Sequence, residues 1–174
     1  MNHRKLITTL ALAAFLPGVA QAHVTLEQKQ APASSTYKAV FRVGHGCAGS
    51  PTTGIRVFLP AGFTDAKPMP KPGWKLEIQR EALLAPYTSH GKPVNDRAAI
   101  ISWQGGSLAD AEDDEFVLRG ALPAESGKLY FRVLQTCKSG QNDWSAIQTG
   151  HDKPEFPAAI LEVTPAAEAP AHSH

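Results

Sequence analysis

The stretch Leu129-Tyr130-Phe131-Arg132-Val133-Leu134 decides the fold class. Its side chains alternate in character with a period of two, the repeat of a strand buried on one face. Trp74-Lys75-Leu76-Glu77-Ile78 alternates in the same way. Tyr37, Ala39, Phe41 and Val43 interleave with Lys38, Val40 and Arg42. Ile55-Arg56-Val57-Phe58-Leu59 follows and is stopped by Pro60-Ala61-Gly62. Ala98 to Trp103, Glu115 to Leu118 and Ala159 to Val163 complete the set. No window sustains a period of 3.6. Short strands bounded by Gly, Pro, Asn and Asp predict an all-β, antiparallel sandwich, with helix confined to turns.

The connections are readable by composition. Pro68, Pro70 and Pro72 alternate with Met69 and Lys71, which predicts an extended surface connection over 66–73. Gly105 to Asp114 is a polar, acidic connection. Residues 166–174 are rich in Ala, Pro and His without periodicity and read as a mobile tail. The 174 residues are 43 % apolar and 19 % charged, enough for one domain with a real core. A formal net charge of +1 supplies no basic footprint for nucleic acid.

Residues 1–22 have the build of a secretory signal. Arg4 and Lys5 precede an apolar run from Leu6 to Leu16, and Ala20-Gln21-Ala22 closes the segment as an A-x-A cleavage site. The run is shorter than the ~20 residues of a membrane span, and no later stretch approaches that length. An uncleaved anchor or a buried N-terminal helix leaves the small-residue triplet unexplained. Removal of 22 from 174 residues leaves 152, with 15 basic against 16 acidic side chains. A mature protein outside the cytoplasm, in the periplasm, follows as an expectation, with residues 23–165 as its domain.

Cys47 and Cys137 remain after cleavage. In an oxidising compartment an isolated pair closes into a disulfide. The loop length, 137 − 47 = 90, is worth roughly 4–5 kcal/mol in the chain-entropy model. The rival, a thiolate metal pair, lacks the usual C-x-x-C spacing.

Cleavage after Ala22 makes His23 the first residue. A terminal histidine offers one metal both its α-amine and its imidazole Nδ1, closing a six-membered chelate ring. Unperturbed values of about 7.7–8 for the amine and about 6.5 for imidazole let both be metallated near neutrality. Nitrogen donors in a tetragonal arrangement favour Cu(II). The plainer reading is that His23 merely follows a cleavage site. His45, between Gly44 and Gly46 and near Cys47, is either a second imidazole or a loop histidine bonded to backbone. His90 and His151 read as solvated loop residues, and His172 and His174 as loose tail donors. Trp144 follows the polar stretch Lys138 to Asp143, starts no evident strand, and is the tryptophan best placed to line a site. No H-E-x-x-H, P-loop, nucleophile elbow or dinucleotide fingerprint is present.

Taken in order, several short pieces resemble the YcnI family, also called the DUF1775 domain, over about His23 to Thr164. They are Ala22-His23-Val24-Thr25, Phe41-Arg42-Val43-Gly44-His45-Gly46-Cys47, Ser50-Pro51-Thr52-Thr53 and Lys71-Pro72-Gly73-Trp74. Ile101-Ser102-Trp103-Gln104-Gly105-Gly106, Glu115-Phe116 and Gln135-Thr136-Cys137-Lys138-Ser139-Gly140 follow, with Trp144 beyond. The resemblance implies a secreted sandwich related to immunoglobulin and cupredoxin-like shapes. It also implies one Cu(II) held by a monohistidine brace: terminal amine and imidazole, a carboxylate and a tryptophan. Carried over by motif, these are His23, Glu115 and Trp144. Glu27 is the runner-up carboxylate, but in an extended strand its Cα lies about 13 Å from that of His23. Many relatives end in a membrane helix, whereas this sequence stops in Ala-Pro-His-rich residues. The cysteine pair and His45 mark one branch of the family.

The leading functional expectation is a non-catalytic protein that buffers or delivers Cu(II), with copper and other copper-handling proteins as partners. One alternative is a copper oxygenase resembling polysaccharide monooxygenases, which need a second histidine. Another is a partner-binding sandwich without metal. With only two methionines, one of them Met1, a Met-rich Cu(I) site is disfavoured.

Overall fold

The computed structural model describes residues 23–89, 91–151 and 153–166. Residues 1–22 and 167–174, on which the expected signal and tail fall, and His90 and Asp152 lie outside the described residues.

Eleven strands form in chain order: β1 (Thr25–Leu26), β2 (Gln30–Pro32), β3 (Thr36–Val43), β4 (Thr52–Phe58), β5 (Thr64–Pro68), β6 (Lys75–Ser89), β7 (Lys92–Leu108), β8 (Asp114–Ala121), β9 (Gly127–Cys137), β10 (Gln141–Trp144) and β11 (Ala159–Thr164). They build two sheets, ordered β1-β3-β8-β5 and β2-β11-β9-β4-β7-β6, with β10 pairing β9. All pairings are antiparallel except β11 with β2. The all-β sandwich expected from the alternation is the observed fold, and among the described residues no helix forms.

The inward residues of the alternating strands make the core. Tyr37, Ala39, Phe41 and Val43 of β3 face Ile55 and Val57 of β4, Ile101 and Trp103 of β7, and Phe131 and Val133 of β9. Edge-to-face rings join the layers, with Phe41 and Phe131 centroids 5.6 Å apart and Trp103 and Phe116 also 5.6 Å apart. The chain passes from one sheet to the other between β1 and β2. The hydroxyl of Tyr37 pins this crossing by donating to the Gln28 carbonyl.

The structure corrects several boundaries. The connection expected over 66–73 is strand as far as Pro68, and Met69 N still donates to Val117 O. A strand end tolerates the missing proline N–H there. The acidic connection is shorter than 105–114, because β7 runs to Leu108 and β8 starts at Asp114. Trp144 ends strand β10. The region between Ile78 and Ala98 belongs to a long β6–β7 hairpin that carries few inward side chains. Its register breaks between Ala82 and Tyr87, leaving Leu84 wholly exposed.

Cys47 and Cys137 form the expected disulfide. It joins the loop after β3 to the end of β9, at the end of the sandwich where β1 begins.

Candidate metal centre

Strand β9 brings the site together. Its inward positions run Phe131, Val133, Gln135, Cys137, so a carboxamide occupies a core position. Gln135 is 0 % exposed and fully satisfied. Its Nε2 donates to His45 O at 2.7 Å and to Thr52 Oγ1 at 2.8 Å. Its Oε1 accepts from Trp144 Nε1 at 3.0 Å and from Asn142 Nδ2 at 3.3 Å. Both amide hydrogens and both oxygen lone pairs are used, which makes burial of the amide affordable.

Trp144 pairs with Val133 across the β9–β10 ladder and points into the core, 1 % exposed. Three rings stand edge-on around its indole. His23 lies 5.7 Å away between centroids at 64°, His45 6.2 Å at 67°, and Phe156 5.0 Å at 70°. Phe156 comes from the segment after β10, which returns through Ala146 N to Phe156 O and Ala158 N to Ala146 O.

His23 and His45 reach this indole from one strand pair. Thr25 of β1 is opposite Arg42 of β3, so the chain two residues before Thr25 and three after Arg42 emerges at the same end. The His45 loop is tightly held. Gly46 N donates to Asp110 Oδ1 at 2.9 Å, and Cys47 and Ser50 exchange hydrogen bonds of 3.1 and 3.0 Å. The two residues between them, Ala48 and Gly49, have φ of 49° and 83°, the pattern of a tight primed turn. The backbone carbonyl of Gly46 sits 2.5 Å from His45 Nδ1. A groove of about 280 Å³ leads from His23 along Leu26 and Lys29 to Ile160.

The remaining expected residues lie elsewhere. Glu115 is on β8 opposite Arg42, two strands from β1, and its carboxylate pairs with that guanidinium at 3.7 Å. Glu27 is exposed just past β1, where its N donates to Val40 O. His151 is exposed in a turn. The structure therefore brings His23, His45 and Trp144 together and leaves Glu115 and Glu27 outside that group. Among the described residues no three His, Cys, Asp or Glu side chains are gathered closely enough to hold a metal ion by themselves. Gln135 and Phe156 were not expected from sequence. The signal for Gln135 was available: a polar residue on the inward parity of a strongly alternating strand.

The sequence matches the model of a domain of unknown function (DUF1775) over residues 23–163. No curated protein matches it. Among solved structures, it resembles an uncharacterized protein from Nocardia farcinica described as having an immunoglobulin-like fold. The TM-score is 0.64 at 21 % identity, covering 83 % of this chain and 99 % of that one. A putative membrane anchored protein from Corynebacterium diphtheriae aligns with a TM-score of 0.41 at 12 % identity, over 88 % of this chain and 36 % of that one. Among the described residues no helix is long and apolar enough to cross a membrane.

Proposed function

We propose that this chain, which belongs to the DUF1775 family, is an extracytoplasmic protein that binds one Cu(II) at His23 and buffers or hands on the ion without catalysing a reaction. The observation that carries this reading is the imidazole of His23 set edge-on against the buried indole of Trp144. Export and cleavage after Ala22 free the α-amine of that same residue, and amine plus Nδ1 form a chelate. The indole and Phe156 make an apolar wall that restricts water on one side of the ion. The disulfide is compatible with an oxidising compartment such as the periplasm.

Cu(II) is cargo in this account. The chain's own residues position the chelate, supply nitrogen donors that suit Cu(II), and limit solvent access. Glu115 is the carboxylate expected from the family resemblance. That carboxylate also pairs with the Arg42 guanidinium at 3.7 Å. Its part is compensation of charge, secondary to the chelate.

Calorimetric titration of the chain beginning at His23 tests the proposal. One Cu(II) per chain is expected, with binding abolished by His23→Ala and only weakened by Glu115→Gln. Absence of binding, or equal binding by His23→Ala, refutes it. The oxygenase reading gains one observation, the second imidazole of His45 at the same indole. Peroxide-driven cleavage of a polysaccharide by the copper-loaded protein distinguishes that reading.

A further inference from the structure

We propose that the open edge of β6 pairs with β6 of a second copy of this chain, antiparallel about Ile78, and so joins two molecules into a dimer. The inference is independent of the copper reading. Its first ground is the bareness of this edge. The strands at the ends of the two sheets are β1, β5, β2 and β6. β1 and β2 have two and three residues, and β5 has five and closes on Pro68. Short length and proline are the ordinary protections of a sheet edge. β6 runs for fifteen residues, and its one proline, Pro86, comes after the register break at Ala82. Among the described residues its partner strand is β7, on one side, so main-chain donors and acceptors face outward along the other.

The second ground is apolar exposure. Among the described residues, the large apolar side chains that stand exposed are Met69, Ile78, Leu84, Tyr87 and Ile147. Ile78, Leu84 and Tyr87 are on β6, and Met69 is in the connection that leads into it. Apolar surface gathered at one edge marks an interaction site.

The third ground is charge, which commits the edge to a second copy and to one register. A two-fold axis normal to the sheet sets residues of the same face opposite each other. An axis through Glu77, Arg80 or Glu81 puts that charge against its own copy. One through Gln79 puts Glu77 against Glu81. Like charges directly across a ladder destabilise it. An axis through Lys75, Leu76 or Ala82 pairs three residues at most, because the strand starts at Lys75 and its register breaks after Ala82. An axis through Ile78 pairs residues 75–81 of each copy. It sets Lys75 against Glu81 at both ends, Glu77 against Gln79, Leu76 against Arg80, and Ile78 against its own copy. Lys75 and Glu81 are 75 % and 51 % exposed, so each can meet a second charge beyond its partner within the chain, Glu77 or Arg97. The same register carries Leu84 toward Pro72 of the second copy, close in sequence to the exposed Met69.

Sedimentation of the chain beginning at His23, without added metal, reads the association, and zero-length carbodiimide cross-linking reads the register. Mixing nitrogen-15 and unlabelled chains separates links between copies from links within one. Lys75 and Glu81 of one copy lie about 20 Å apart along an extended strand and cannot be joined directly. A concentration-dependent dimer is expected, with a Lys75–Glu81 amide that has one labelled and one unlabelled half. Lys75→Glu puts like charges opposite at both ends and should weaken the dimer at least about tenfold. A monomer at every concentration up to about 1 mM overturns the inference and leaves the edge to a strand of a different chain. A dimer that lacks the mixed link, or that a folded Lys75→Glu chain forms as tightly, also overturns it. The link is read on the unmodified chain and decides the register even if the variant does not fold.

Discussion

The indole N–H of Trp144 donates a 3.0 Å hydrogen bond to Oε1 of Gln135, and the amide of that same glutamine holds the carbonyl of His45. One buried side chain therefore fixes both the Trp144 indole and the loop that carries His45.

Replacing Gln135 by Leu keeps the volume roughly constant but leaves the Trp144 N–H and the His45 carbonyl without partners in the core. Each such group costs about 1–3 kcal/mol. Chemical denaturation should register a loss of about 2–5 kcal/mol, with altered tryptophan fluorescence in the folded state. A loss below about 0.5 kcal/mol, the range of an ordinary surface substitution, would show that the network is not cooperative.

The disulfide closes a loop of 90 residues between two sheet-end positions that share the His45 loop. Its removal by a double Cys47→Ser, Cys137→Ser change should lower stability by about 2–5 kcal/mol. The melting temperature of the unmodified chain should fall under reductant, while that of the double variant should not respond.

A methyl group on Gly46 has no room. Its Cβ would lie 1.8 Å from the carbonyl oxygen of Ser50, which is backbone and is fixed by the Cys47–Ser50 turn. Gly46→Ala should force the turn open and destabilise the chain by more than the ~1 kcal/mol typical of a point change. Thermal melting, together with assay of free thiols during oxidative refolding, checks this.

Burial, and then the charge of Glu27, push the Tyr37 hydroxyl up to about 12. The unfolded value is about 10. The folded state thus holds this proton to higher pH than the unfolded state does. The resulting stability is complete below about pH 10 and is lost as pH climbs from there through about 12. Tyr37→Phe should cost about 1 kcal/mol at neutral pH, from the lost bond to Gln28. It should also flatten the fall in stability between pH 10 and 11, which denaturation series at the two pH values measure.

The alternating strands were legible because burial on one face imposes a period of two. The sequence signals at Tyr37–Val43 and Leu129–Leu134 fall inside β3 and β9, which carry the core. The β6–β7 hairpin was not legible beyond Ile78, because its distal half buries almost nothing and leaves no periodic trace. β1 and β2 are two and three residues long, too short for any period to show. Trp144 was not legible as a strand end, since β10 is only four residues long and follows a polar turn.

The sequence singled out His23 by the A-x-A triplet before it, and the structure sets its ring beside Trp144. The meeting of His45 with Trp144 was not legible, because it depends on β10 folding back along β9 and on Gln135 bridging the two. Glu115 was chosen on its Glu-Phe context, and its register opposite Arg42 is a property of the sheet. An ion pair across adjacent strands leaves no mark in either strand's own sequence.

The chelate at His23 stands or falls on a comparison of Cu(II) affinity between the chain beginning at His23 and the chain beginning at Ala22. Both keep every side chain of the site, and only the first has a free α-amine on His23. Tight one-to-one binding is expected of the first, and loss of most of that affinity in the second. Equal affinity of the two chains would contradict it, because the chelate at His23 would then play no part in holding the metal.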